Sequence, residues 1–170
     1  MKTIYLAGGC YWGVEKYMSN IPGVAETEVG FANGHVEAPA YVQVKQGDTG
    51  HAETVRVVYD QQVIPLDKLL RLFFRIIDPT SFEKQGEDIG NQYRTGVYWT
   101  DGVDEAVVRA ELACLQTQYA VPLAVEACLL DCFYPAEEYH QKYLDKTPGG
   151  YCHVPWTEID WVKTVNLQEI

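Results

Sequence analysis

Six segments of apolar periodicity follow one another between residues 3 and 100, and their order constrains the fold more than any other feature. Thr3 to Ala7 alternates as a short strand, and beyond Gly8-Gly9 the residues Val14, Tyr17, Met18 and Ile21 recur at helical spacing until Pro22-Gly23. Val24 to Ala32 and His51 to Tyr59 read as strands, joined by a polar loop broken at Asn33-Gly34, Pro39 and Gly47. Pro65 opens a helix whose apolar stripe is Leu66, Leu69, Leu70, Phe73, Phe74 and Ile77, and Thr95 to Thr100 is a further strand. The order β-α-β-β-α-β is that of a split β-α-β, which predicts an α+β two-layer sandwich with a ferredoxin-like core. A helix (Val103 to Tyr119), a strand (Leu123 to Phe133) and a helix (Ala136 to Lys146) are appended. With 170 residues the chain is expected to form a single domain over 1–170, of which 147–170 is a loosely structured tail.

Charge and cysteine content narrow the function. A formal charge of -11 repels phosphate backbones and anionic lipid, which sets aside nucleic acid and membrane surfaces as partners. No stretch approaches the roughly 18 apolar residues of a membrane span. The apolar run Ile4 to Ala7 falls short of the roughly 7 residues of a secretory core, so a cytoplasmic location is expected. Five cysteines, an odd number, leave at least one thiol free and argue against a disulfide framework.

Cys10 carries the sharpest chemical signal. It follows two glycines and precedes a helix, where the macrodipole and unpaired N–H groups favour thiolate and are expected to lower its pKa. Cys114 shares a helical stripe with Val107 and Ala110, which predicts core filling. Cys128 and Cys132, four apart in one predicted strand, fall on one face about 13 Å apart, too far for a mutual disulfide or a shared zinc. Cys152, beside Pro148, Gly149 and Gly150, is placed in a mobile segment, either as a thiol that approaches another or as an idle surface residue. Glu53 opens a largely apolar strand, so partial burial would raise its pKa and make it a general acid. His51-Ala52-Glu53 also fits the H-x-E of zinc deaminases, although the P-C-x-x-C partner is missing. The remaining histidines, 35, 140 and 153, lack metal spacing. Residues 78–94 form a long irregular segment of the kind that is functional, and Tyr41 and Tyr93 lie in irregular stretches where a hydroxyl can face a ligand.

Taken together, GCYWG (9–13), APAY (38–41), GHAE (50–53), DIGNQYR (88–94) and GYC (150–152) resemble the A class of peptide methionine sulfoxide reductases, over nearly the whole chain. The resemblance implies reduction of the S epimer of methionine sulfoxide, free or in oxidised proteins. Cys10 would then be the attacking thiolate, Glu53 the proton donor, and Tyr41 and Tyr93 donors to the sulfoxide oxygen. Asp88 would support this polar site, and Tyr11 and Trp12 would cradle the S-methyl group. By the same resemblance Cys10 becomes a sulfenic acid, Cys152 resolves it as a disulfide, and thioredoxin is the external reductant, with no bound cofactor. The family usually carries phenylalanine where Tyr11 stands, so a hydroxyl enters the methyl pocket and must find a partner. Two readings from other classes are a zinc hydrolase or deaminase using His51 and Glu53, and a non-catalytic partner protein that merely bears a thiol.

Overall fold

A computed structural model describes residues 1–170. In chain order the elements are β1 (Lys2–Gly8), α1 (Tyr11–Met18), β2 (Val24–Ala32), α2 (Tyr41–Lys45), β3 (Ala52–Tyr59) and α3 (Leu66–Phe74). A small hairpin, β4 (Lys84–Gln85) and β5 (Asp88–Ile89), precedes a 3-10 turn at Asn91–Tyr93 and β6 (Thr95–Trp99). Then come α4 (Asp104–Gln116), β7 (Glu126–Leu129), β8 (Phe133–Pro135), a 3-10 turn at Glu138–His140, α5 (Tyr143–Lys146) and α6 (Trp156–Val162). The fold is mixed α+β.

Six strands form one sheet in the order β7-β6-β1-β3-β2-β8, antiparallel except where β6 pairs with β7. On one face Ile4, Leu6, Val29, Phe31, Val55, Val57 and Val97 are fully buried, and with the apolar sides of α1, α3, α4 and α6 they form a single core of 30 residues. The opposite face carries small side chains, Ala7, Ala32 and Ala52, around Tyr98. These two faces differ in bulk because the sheet is curled. Strands β7 and β8 lie at opposite edges yet are linked by only residues 130–132, which reach no more than about 14 Å. Six flat strands would hold their edges about 24 Å apart. Asn33 stitches the seam: its side chain accepts the N–H of Asp131 at 2.8 Å and of Cys132 at 3.3 Å.

Four expectations are corrected. The strand foreseen over Leu123 to Phe133 is two strands, because the chain changes sheet edge between them, so Cys128 and Cys132 do not share one strand face. Cys114 is exposed rather than core; it lines a cavity of about 370 Å³ between α3 and α4 that contains none of the proposed site residues. The helix foreseen over Ala136 to Lys146 is interrupted by Lys142, whose φ of 53° stops helical propagation. The tail is not loose: α6 places Ile159 and Val162 fully in the core, while Arg75 lies over the Trp161 ring at 4.0 Å and pairs with Glu158 at 3.0 Å.

Candidate active site

The junction between β1 and α1 brings the chemistry together. Gly8 sits where an added Cβ would lie 2.9 Å from Phe73, and Gly9 turns the chain at φ +88° beneath the side chain of Gln85. No larger residue fits either position, and the turn delivers Cys10 to the cap of α1 at 8 % exposure. Burial pushes the Cys10 thiol well above its usual range, and the neighbouring Glu53 adds to this, while the Trp12 N–H pulls the other way. The expected lowering by the helix start is therefore outweighed by desolvation.

Glu53 reaches the same place from β3. It alternates with Val55 and Val57 onto the helix-covered face and pairs in register with Phe31, so the sheet that packs the core also buries this carboxyl. Its Oε1 accepts the Tyr11 N–H at 3.2 Å. Burial raises its pKa to about 8, with Asp88 adding and the Tyr11 N–H and Lys45 opposing. Near neutral pH Glu53 thus holds a proton, and Oε2 is free of the Tyr11 contact.

Two phenols complete the polar group. Tyr41 begins α2, whose start is fixed by Gln43 accepting the Ala40 N–H at 2.8 Å and by Glu137 accepting the Tyr41 N–H at 3.3 Å. Tyr93 ends the 3-10 turn, held through Asn91 donating to the Gly47 carbonyl at 2.9 Å. Burial pushes Tyr41 up to about 12 and Tyr93 upward as well, and Glu53, once ionised, adds to both. Both phenols therefore stay protonated donors. Asp88, on β5, accepts the Tyr151 O–H at 2.8 Å.

An aromatic wall stands on the other side. The Tyr11 ring is buried against Phe31 and His140, with centroids 5.8 and 5.5 Å away, and its hydroxyl has no partner. Trp12 stacks on Tyr143 at 3.8 Å and donates from Nε1 to His140 Nδ1 at 3.1 Å. The segment carrying His140 and Tyr143 is pinned by buried Glu15, which accepts from the Lys142 N–H at 2.7 Å and from Thr27 at 2.8 Å. Sequence reasoning missed His140, Tyr143 and Glu137; the density of rings between Tyr134 and Tyr143 is the signal that would have found them.

Cys152 is half-buried and not in a free segment. Its thiol donates to the Val154 carbonyl at 3.2 Å and lies 3.1 Å from where a Cβ on Gly13 would stand, so Gly13 on α1 makes room for it. Next to it, His153 Nε2 meets the Gly8 carbonyl at 3.1 Å. Cys152 is close enough to Cys10 that its charge adds to the upward shift of that thiol. His51 stands apart: Nδ1 accepts the Gly34 N–H at 3.1 Å and Nε2 meets the Val36 carbonyl at 2.7 Å, so both nitrogens serve the loop and neither is left for a metal beside Glu53.

A curled α+β sheet that carries a thiol, a neutral carboxyl and two phenols beside an aromatic wall describes a thiol-dependent oxidoreductase. Residues 2–168 match the family described as peptide methionine sulfoxide reductase. A peptide methionine sulfoxide reductase MsrA of Lachnoclostridium phytofermentans is 53 % identical over 162 residues, which span 95 % of this chain and 98 % of that protein. Mxr1 from Saccharomyces cerevisiae in reduced form superposes with a TM-score of 0.84 at 39 % identity, over 89 % of this chain and 88 % of that one. The same yeast protein in complex with Trx2 superposes at 0.60 with 25 % identity, over 84 % of each chain. The chain belongs to the peptide methionine sulfoxide reductase family, A class, and its reaction is the reduction of methionine S-sulfoxide to methionine.

Proposed function

We propose that Cys10 attacks the sulfoxide sulfur while Glu53 passes its proton to the departing oxygen. The single observation that carries this reading is the buried, neutral Glu53 bonded to the peptide next to the thiol. With Glu53 protonated, its repulsion of a thiolate is absent and the Trp12 N–H favours the anion. Tyr41 and Tyr93 hydrogen-bond the oxygen as charge grows on it, a fixed pair of donors that stabilises the transition state more than the ground state. Asp88 supports this polar side, and Tyr11 and Trp12 receive the S-methyl group. The sulfur–sulfur bond made by the attack breaks as the oxygen passes from the substrate sulfur to Cys10, giving methionine and a Cys10 sulfenic acid. The Cys152 thiol then displaces that oxygen as water and forms the disulfide. Thioredoxin, by analogy with the yeast relative bound to Trx2, supplies the dithiol that reduces it, and no bound cofactor takes part.

The strand order β6-β1-β3-β2, with α1 and α3 in the crossovers, supports reading the centre as a ferredoxin-like split β-α-β core. The continuous core supports one catalytic domain over 1–170. Methionine sulfoxide, free or in oxidised proteins, and thioredoxin are the partners proposed; the charge of -11 disfavours nucleic acid and anionic membrane. A cytoplasmic location accords with five free thiols.

Turnover of the two separated sulfoxide epimers with dithiothreitol tests the assignment. The S epimer is expected to be reduced and Cys10→Ser to be inactive. Cys152→Ser is expected to release one equivalent of methionine and then stall with thioredoxin; sustained thioredoxin-driven turnover in that variant would transfer the resolving role to another thiol.

A further inference from the structure

Two exposed tyrosines lie near the proposed site, Tyr151 within reach of the Cys10 charge and Tyr139 within reach of Tyr41, and each is hydrogen-bonded to a carboxylate. Tyr151 donates to Asp88 at 2.8 Å, with Glu87 adjacent on the β4–β5 turn. Tyr139 lies 4.0 Å from the His140 ring and donates to Glu137 at 3.4 Å. Their rings remain open to solvent, at 43 % for Tyr151 and 56 % for Tyr139. Glu87 and Asp88 beside Tyr151, Glu137 beside Tyr139, and Lys45, whose charge acts on Glu53, take part in no ion pair. Three carboxylates against one lysine leave this rim at a formal charge of -2.

An aromatic face beside an unpaired carboxylate suits a lysine or arginine side chain, through cation–π attraction and charge together. A polypeptide whose sulfoxide is held at Cys10 carries its neighbouring residues over the exposed surface around that site, to which these tyrosines belong. We infer that the rim selects methionine sulfoxide in polypeptide segments with basic neighbours and discriminates against segments with acidic ones. This rests on the proposed placement of the sulfoxide at Cys10 and names the substrate class for that site.

The test compares kcat/KM at low ionic strength for three end-blocked S-sulfoxides: N-acetylmethionine sulfoxide methylamide, and pentapeptides in which the oxidised methionine is flanked by two lysines or by two glutamates. The lysine peptide is expected to exceed the glutamate peptide by about tenfold. That ratio should fall toward one near 1 M salt, where charges are screened within about 3 Å. The variant Glu87→Gln with Tyr139→Ser is expected to cut the ratio about threefold and leave the methylamide unchanged. Equal rates for the two peptides, or an equal loss on all three substrates in the variant, would overturn the inference while leaving the reaction standing. Failure to reduce any of the three would overturn the placement at Cys10 and the inference with it.

Discussion

The backbone N–H of Tyr11 donates to Oε1 of Glu53 at 3.2 Å across 42 positions of sequence. This bond ties the start of α1, and with it the thiol of Cys10, to a carboxyl in the middle of the sheet. It also leaves the other carboxyl oxygen as the carrier of a proton.

The first prediction concerns that proton. A general acid of this kind contributes about 10²- to 10⁴-fold, so Glu53→Gln is expected to slow methionine release in a single turnover by at least about 10²-fold. In the native enzyme the rate should decline as pH rises through about 8. Stability follows the same proton. The ordinary value is 4.5, so between there and about 8 the folded state binds a proton that the unfolded chain does not. The contribution of the neutral form is complete below pH 4.5 and is lost as pH rises through about 8. Urea denaturation of native protein and Glu53→Gln across pH 5 to 9 measures it, and the variant should show a flatter profile.

Burial governs the Cys10 thiol as well. Because desolvation raises the Cys10 thiol, free enzyme at pH 7 should alkylate slowly with iodoacetamide and speed up as pH climbs past 9. Peptide mass spectrometry of Cys10 follows this directly. Rapid, pH-independent labelling at pH 6 would show that the helix terminus outweighs burial.

The orphaned Tyr11 hydroxyl gives a stability prediction. It is buried with no partner, so Tyr11→Phe removes an uncompensated polar group and is expected to stabilise by about 1 kcal/mol. For a chain of this length that is a rise in Tm of about 2–4 °C, read by calorimetry.

Helix α6 gives the last. Ile159 is fully buried in the common core, and Ile159→Ala should cost about 2–5 kcal/mol. A loss below about 0.5 kcal/mol by urea denaturation would mean that the helix is only loosely docked.

The residues themselves determined the alternation that builds β1, β2 and β3, the amphipathic stripe of α3, and the choice of the proposed reacting groups, because each depends on local spacing or on residue type. Cys10, Glu53, Tyr41, Tyr93 and Cys152 were legible as candidates in this way, and Asp88 only through the family resemblance. Tertiary structure alone decided their states. Desolvation sums over neighbours that are distant in sequence, so the raised Cys10 thiol follows from its burial together with Glu53 of β3, Asp88 of β5 and Cys152 of the tail rather than from the two glycines before it. The curl of the sheet had to be set by which edges β7 and β8 join, a long-range pairing that broke the single strand read over Leu123 to Phe133. Likewise α6 escaped notice because seven residues carry too little periodicity to announce a helix, and only the core that receives Ile159 and Val162 gives it a reason to form.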